Sequence, residues 1–424
     1  MYILRRPRFR TMGTRMAILV CCLLCLCTTG ATPALSAPPH QKLPSGITPI
    51  AHKVVTPNAD VQNMKKDDPQ QKRLRAAQQI IQSMTFEQKL GQLIIVEYLG
   101  TDYADSGLQT MIQRQSVGGF MYQAANHNFD PPYDDVNKVK ALSEQAVKDA
   151  QIPLLIATDQ EGGLVNRLYT FHGELPSAQE MAASGDPQVA FAQGKQSAGW
   201  MRELGINADL APVVDVQTVD PPVLASRMFG RDPQTVAKYA GAFLKGLQEN
   251  EVAGCLKHFP GLGAITSDPH NDLPVVERSK AELENIDLAP YKLIFQQRQP
   301  AMVMATDVLM PTIDPDLPAE LSPKAINGVL RGELGYNGVV ITDGLYMEGI
   351  SQKWTLGQAA VLSIQAGGDL IEGPFTVQQV AEAITALKQA VQQGKISTER
   401  IDQSVQRILL MKMQYHILSE SEVS

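Results

Sequence analysis

Residues 257–270, KHFPGLGAITSDPH, gather a lysine, two histidines and an aspartate on a run rich in glycine and proline. Helices and strand interiors both reject that composition, so it reads as a long loop directly after the apolar run at 252–256. Asp268 stands two residues before His270. A carboxylate beside an imidazole can fix its tautomer and raise its basicity. Another carboxylate, Asp343, directly follows Gly338-Val339-Val340-Ile341-Thr342. Held on rigid backbone, it can serve as a nucleophile, a general base, a metal ligand or a buried partner for arginine. A nucleophilic carboxylate facing a protonatable group across a sugar-sized gap is the layout of a retaining glycosidase. Most such enzymes use a second carboxylate as the acid; here the candidate acid is a histidine.

The elements that must position these residues are short apolar runs alternating with stretches of helical length. Candidate strands are 92–96, 117–122, 153–158, 206–211, 253–258, 302–305, 339–342 and 369–371. Helical patterns such as 232–250 and 376–393 lie between most of them. Strands alternating with helices in this number predict an α/β chain folded as a closed (β/α)8 barrel, a single catalytic domain. An open doubly wound sheet would usually show a Gly-rich phosphate turn after its first strand, and none is present. Active sites of such barrels form on the loops after the strands. After the third run come Asp159, Glu161 and Arg167; after the fourth, Asp215 and then Arg227; the fifth ends in Lys257 and His258. Carboxylates, bases and glycines gather at these ends, while the runs before them are apolar.

The chain has 424 residues, of which 44% are hydrophobic, enough for a large core. Its net charge is -7, which gives no reason to expect a nucleic-acid partner. The one basic cluster, Arg5, Arg6, Arg8, Arg10 and Arg15, precedes an uncharged apolar run at 16–27 that is too short to span a bilayer. Small residues follow. This order predicts a secretory signal over residues 1–36, a flexible linker over 37–72 and the barrel domain over 73–420. Four of the five cysteines lie in the signal segment, leaving Cys255 as an inert core thiol.

Several blocks together resemble glycoside hydrolase family 3, specifically its β-N-acetylglucosaminidase branch. They are the segment from Met84 to Leu93, then VGGFMYQAAN, ATDQEGGLVNRL, LAPVVDV, SRMFGRDP, KHFPGLGAITSDPH and GVVITDGLYMEGI, in the family's order. The resemblance implies that the loop after the fifth strand is a mobile flap. It assigns the acid/base role to His270 with Asp268 as partner, and the nucleophile to Asp343. Sugar-contacting positions map to Asp159, Arg167, Arg227, Lys257 and His258. The implied reaction is hydrolysis, with retention, of terminal β-linked N-acetylglucosamine from peptidoglycan fragments or chitooligosaccharides, through a covalent glycosyl-aspartate.

No cofactor is expected, and a metal held by His258, Asp268 and His270 is a minor reading that retained activity in chelator would remove. The expected enzyme is a secreted or extracytoplasmic monomer acting on a carbohydrate, touching a membrane only through an uncleaved signal segment. The chain ends soon after the barrel, which leaves no room for the second domain of longer relatives and argues against a β-glucosidase. A phosphorylase on the same site and a catalytically inactive wall-binding protein are the rival readings. Some positions depart from the family pattern: Pro269 stands where Ser or Thr is usual, Leu164 where Arg is common, and Asp307 where His is common. Asp307 is either an extra carboxylate near the mouth or a surface charge. Glu161 is expected to organise its Gly-rich loop.

Overall fold

Eight parallel strands close into a barrel in the computed structural model, which describes residues 68–220, 224–266 and 272–419. The strands are β1 (Ile94–Glu97), β2 (Gly119–Met121), β3 (Leu155–Thr158), β4 (Ala208–Asp209), β5 (Ala253–Phe259), β6 (Met302–Ala305), β7 (Val339–Gly344) and β8 (Leu370–Glu372). Each pairs in parallel with its chain neighbour, and β8 closes on β1 through Ile94 with Ile371 and Ile95 with Glu372. The expected α/β barrel is therefore the observed one, with every strand in its predicted stretch. The differences fall at the ends. Gln92 closes the helix Phe86–Gln92 instead of opening a strand, and β7 runs on through Asp343 to Gly344.

Both faces of these strands are buried, which explains why they read as continuous apolar runs. Alternate residues divide between two cores. Ile95, Met121, Ala157, Cys255, Met304, Ile341 and Leu370 fill the barrel interior. Ile94, Val96, Phe120, Ile156, Leu256, Val303, Val340 and Ile371 pack outward under the helices. The division follows the two-residue period of side chains along a strand. Cys255 is a free, fully buried thiol of the inner core, as expected.

Helix starts follow local chemistry. Asp-Pro opens three long helices, Pro69–Ser83, Pro187–Glu203 and Pro233–Gln248; in each the aspartate side chain accepts from a first-turn N–H and proline sits at the start. The first of these begins inside the segment predicted as linker. Its cap, Asp68, is the start signal that the weak periodicity of 37–72 concealed. The helix packs against Thr398–Gln414. The signal segment and residues 37–67 of the linker lie outside the described residues. Among the described residues no helix is long and apolar enough to cross a membrane.

The two ends of the barrel are used differently. At the start of β8, Asp369 is buried and accepts from Arg331 at 2.6 Å and Arg407 at 3.1 Å, with Arg400 at 3.5 Å. That end is tied for stability, whereas the strand ends opposite carry the groups described next.

Candidate active site

In seven of the eight strands a polar residue stands two beyond the last inward-facing apolar one. Ile95 leads to Glu97, Met121 to Gln123, Ala157 to Asp159, Cys255 to Lys257, Met304 to Thr306, Ile341 to Asp343 and Leu370 to Glu372. The strand period thus stacks a polar layer on the apolar interior at the C-terminal mouth. The layer opens on a cavity of about 270 Å³ lined by Asp343, Asp159, Arg167, Arg227, Lys257 and His258. These are all the predicted site residues except Asp268 and His270, which lie outside the described residues.

The charged groups are paired before any substrate arrives. Lys257 Nζ lies 2.6 Å from Asp159 Oδ1 and 2.8 Å from Glu161 Oε1. Arg227 grips Glu161 with two donors, Nε and Nη2, each at 2.7 Å. Glu161 reaches this position from the hairpin Gln160–Gly162 with Val165–Asn166. The hairpin requires glycine at 162, where φ is +94° and a Cβ would stand 2.2 Å from the Pro176 carbonyl. Glu161 thus does more than organise its loop, because it anchors both cations. Gln123 donates to Asp159 Oδ2 at 2.6 Å and accepts from Arg167 Nε at 2.8 Å.

Electrostatics follow from these contacts. Burial pushes the Asp159 and Glu161 carboxyls up, but the adjacent cations outweigh it and hold both below the ordinary range. Burial likewise works against the charge on Lys257, yet Asp159 and Glu161 keep it firmly protonated. His258 Nδ1 lies 2.7 Å from Asp215 Oδ2, while Nε2 faces Arg227 Nη2 at 3.5 Å. That geometry suits a ring protonated at Nδ1, with Nε2 accepting. Asp215 also accepts from the Leu262 N–H at 2.8 Å, so it ties the start of the loop after β5 to the imidazole.

Asp343 lies across the cavity from this network. Thr306 Oγ1 donates to its Oδ2 at 2.6 Å, and the Gly344 N–H donates to its Oδ1 at 3.0 Å. Its own N–H donates to Glu320 Oε2 at 3.1 Å. Asp307 is fully buried, which excludes a surface charge there. The described chain resumes at Asp272 beside these groups. A Cβ on Gly349 would lie 3.2 Å from the Asp272 carbonyl oxygen and 2.6 Å from Asp307 Oδ2.

Sequence reasoning missed Glu97, Glu320 and Glu372. Burial, then the charges of Glu97 and Asp343, hold Glu372 well above the ordinary carboxyl range. Burial pushes Glu97 up to about 7 against a hydrogen bond from Asn126. Burial and the neighbouring Asp307 and Asp343 raise Glu320 as well.

A closed parallel barrel with a preassembled, charge-lined cavity at its C-terminal mouth, floored by a strand-end aspartate, is the scaffold of a barrel hydrolase. The chain belongs to glycoside hydrolase family 3: residues 85–411 match the glycosyl hydrolase family 3 N terminal domain. It is similar to beta-hexosaminidase LpqI of Mycobacterium tuberculosis (strain ATCC 25618 / H37Rv), with 35% identity over 332 residues that make up 76% of this chain and 82% of that relative. A solved structure of M tuberculosis LpqI superposes with a TM-score of 0.71 at 32% identity, covering 80% of this chain and 96% of that one. A glycoside hydrolase family 3 beta-N-acetylglucosaminidase from Paenibacillus sp. str. FPU-7 gives a TM-score of 0.75 at 36% identity, covering 79% of this chain and 63% of that one.

Proposed function

We propose that the protein is a retaining exo-β-N-acetylglucosaminidase acting on terminal β-linked N-acetylglucosamine of peptidoglycan fragments or chitooligosaccharides. One observation carries this reading. Asp343, held by Thr306 and the Gly344 N–H, lines a cavity of about 270 Å³ with Asp159, Arg167, Arg227, Lys257 and His258 around the same space. The names of the relatives support the substrate: they are beta-hexosaminidases and a beta-N-acetylglucosaminidase.

In this reading Asp343 attacks the anomeric carbon as His270 gives its proton to the leaving oxygen, and the C1–O bond breaks. A glycosyl-aspartate ester forms. His270, now neutral, takes a proton from water as that water attacks C1, and Asp343 leaves as a carboxylate. Asp268 supports the imidazolium. Asp159 and Lys257, already locked together, present fixed acceptors and donors to the sugar hydroxyls, so little ordering is left to the moment of binding. The loop from β5 leaves beside the site at Leu262 and returns at Asp272 beside Asp307, which supports a place for His270 at the mouth. The basic and apolar N-terminus supports an extracytoplasmic location, with residues 1–36 as signal.

The test compares aryl N-acetyl-β-glucosaminide with aryl β-glucoside, with and without phosphate. Preference for the first and a free sugar product are expected. Asp343→Ala should abolish turnover of every substrate. His270→Ala should lose about 10² to 10⁴-fold on natural disaccharides and far less of the glycosylation step on a dinitrophenyl glycoside, with azide restoring turnover as the β-azide. Preference for the glucoside would overturn the substrate, and equal losses without azide rescue would remove His270 from its role.

A further inference from the structure

Two acids that no cation answers stand at one side of the cavity, Glu372 in its lining and Glu97 behind it. Glu97 ends β1 and Glu372 ends β8; the register sets Glu372 beside Ile95 on one side and Gly344 on the other. Glu372 is 4% exposed, lines the cavity, and its Oε2 has no hydrogen-bond partner. Glu97 is 2% exposed; Asn126 donates to its Oε2 at 3.1 Å, and the Tyr346 hydroxyl also hydrogen-bonds to the carboxyl. Among the described residues, neither forms an ion pair with a lysine or arginine. The cations of the cavity are engaged elsewhere: Lys257 with Asp159 and Glu161, Arg227 with Glu161, and Arg167 with Gln123. Buried carboxyls without partners are costly, and they persist where a ligand completes them.

A hydroxyl group would satisfy one oxygen and leave the raised carboxyls protonated. An ammonium would satisfy the oxygen and favour the ionised form as well. Glu372 lines the same cavity of about 270 Å³ as Asp343, which places the ammonium on the ring whose anomeric carbon Asp343 attacks in the reading above. We propose that Glu372, backed by the charge of Glu97, binds the free amino group of a 2-amino-2-deoxyhexose, so that the enzyme accepts β-linked glucosamine as well as its N-acetylated form. The proposal rests on the glycosidase reading above and extends its substrate class to de-N-acetylated glycans.

The groups facing the pair explain how both substrates fit. Glu97 faces Asp159, Asp343, Tyr346 and Glu372, while Glu372 faces Glu97, Asp343, Asp159 and, more weakly, Lys257. With acids outnumbering cations, burial and mutual repulsion leave this wall largely protonated when empty, with Glu97 at about 7. A protonated carboxyl donates to a neutral acetamido oxygen. An entering ammonium lowers both carboxyl pKa values and drives a proton into solvent.

The test uses the full chain with aryl β-glucosaminide and aryl N-acetyl-β-glucosaminide, in the wild type, Glu372→Gln and Glu97→Gln. The wild type should hydrolyse both. The ratio of kcat/KM for the amine over the acetamide should fall about tenfold or more in each variant, the scale of one charge-assisted hydrogen bond. Calorimetry of wild-type protein with methyl β-glucosaminide, in two buffers of different ionisation enthalpy, should show proton release that the N-acetyl counterpart lacks. If Glu372→Gln does not fold, Glu97→Gln and calorimetry decide. An unchanged ratio in the variants, or failure to bind or cleave the amine while the acetamide is cleaved, would overturn the proposal. If the wild type cleaves neither, the glycosidase reading fails, and calorimetry alone decides whether the wall binds an amine.

Discussion

Replacing Glu161 with glutamine tests whether the site is assembled by its own ion pairs. Glu161 takes three charged donors at once: two from Arg227 at 2.7 Å and Lys257 Nζ at 2.8 Å. Its side chain is 4% exposed and that of Arg227 11%. Glutamine keeps the size but removes the charge. Arg227 is then left buried without a counter-ion, while Lys257 retains Asp159. Breaking a buried pair from one side costs about 3–5 kcal/mol. Unfolding entropy of about 2.1 cal/mol/K per residue, over ~340 residues, is ~0.7 kcal/mol/K, so Tm at pH 7 should fall by about 4–7 °C. kcat/KM should fall as well, about 100-fold if Lys257 or Arg227 shifts by an ångström.

The pH dependence supplies a second readout. Asp159 and Glu161 both lie below the ordinary carboxyl range in the fold. Such groups add stability above the unfolded value of about 4, and that stability is lost as pH falls through the lower folded value. The wild type should therefore lose more stability than Glu161→Gln below about pH 4, and the two Tm curves should converge there. Glu161→Gln combined with Arg227→Met should recover part of the pH 7 loss, because the penalty belongs to the unpaired guanidinium. Differential scanning calorimetry from pH 3 to 8 reads all three. A Tm within about 1 °C of wild type at pH 7, with parallel pH curves, would refute the argument that Glu161 holds the cations.

Thr306→Val removes the hydroxyl that holds Asp343 Oδ2 at 2.6 Å. A hydrogen bond to a charged group is worth about 1.5–3 kcal/mol, so kcat should drop about 10- to 100-fold with KM little changed and rescue by serine; an unchanged kcat would remove Thr306 as a positioning residue. A chain starting at Met64 keeps Asp68 and the whole helix Pro69–Ser83 and should match the full chain in Tm and activity. One starting at Arg73 loses the cap and first turn and should melt lower, by about 1 kcal/mol or more; equal melting would return the boundary to 73.

The barrel was legible because its strands are buried on both faces. Runs such as Val339 to Thr342 stand out as unbroken β-branched stretches bounded by Gly338 and Asp343, and no register choice was needed to find them. Asp159, Lys257 and Asp343 were legible for the same reason, as the first charges after such runs. Glu97 and Glu372 follow their runs in the same way, yet they were missed. A lone acid after a short strand looks like the start of a solvated loop unless its parity is known. Counting in twos from the interior residues supplies that parity: Ile95 and Leu370 face inward, so Glu97 and Glu372 must as well. Parity alone does not set β8 beside β1, which are separated by nearly the whole domain; the expected barrel closure does, and the two readings have to be combined. Closure sets carboxyls from the first and last strands of the barrel near Asp343, Glu372 in the cavity lining and Glu97 behind it. The reach of Glu161 beyond its own loop was hidden for a related reason, since its partners Arg227 and Lys257 sit on the loop after β4 and on β5, and only the curvature of the barrel brings them to the hairpin after β3.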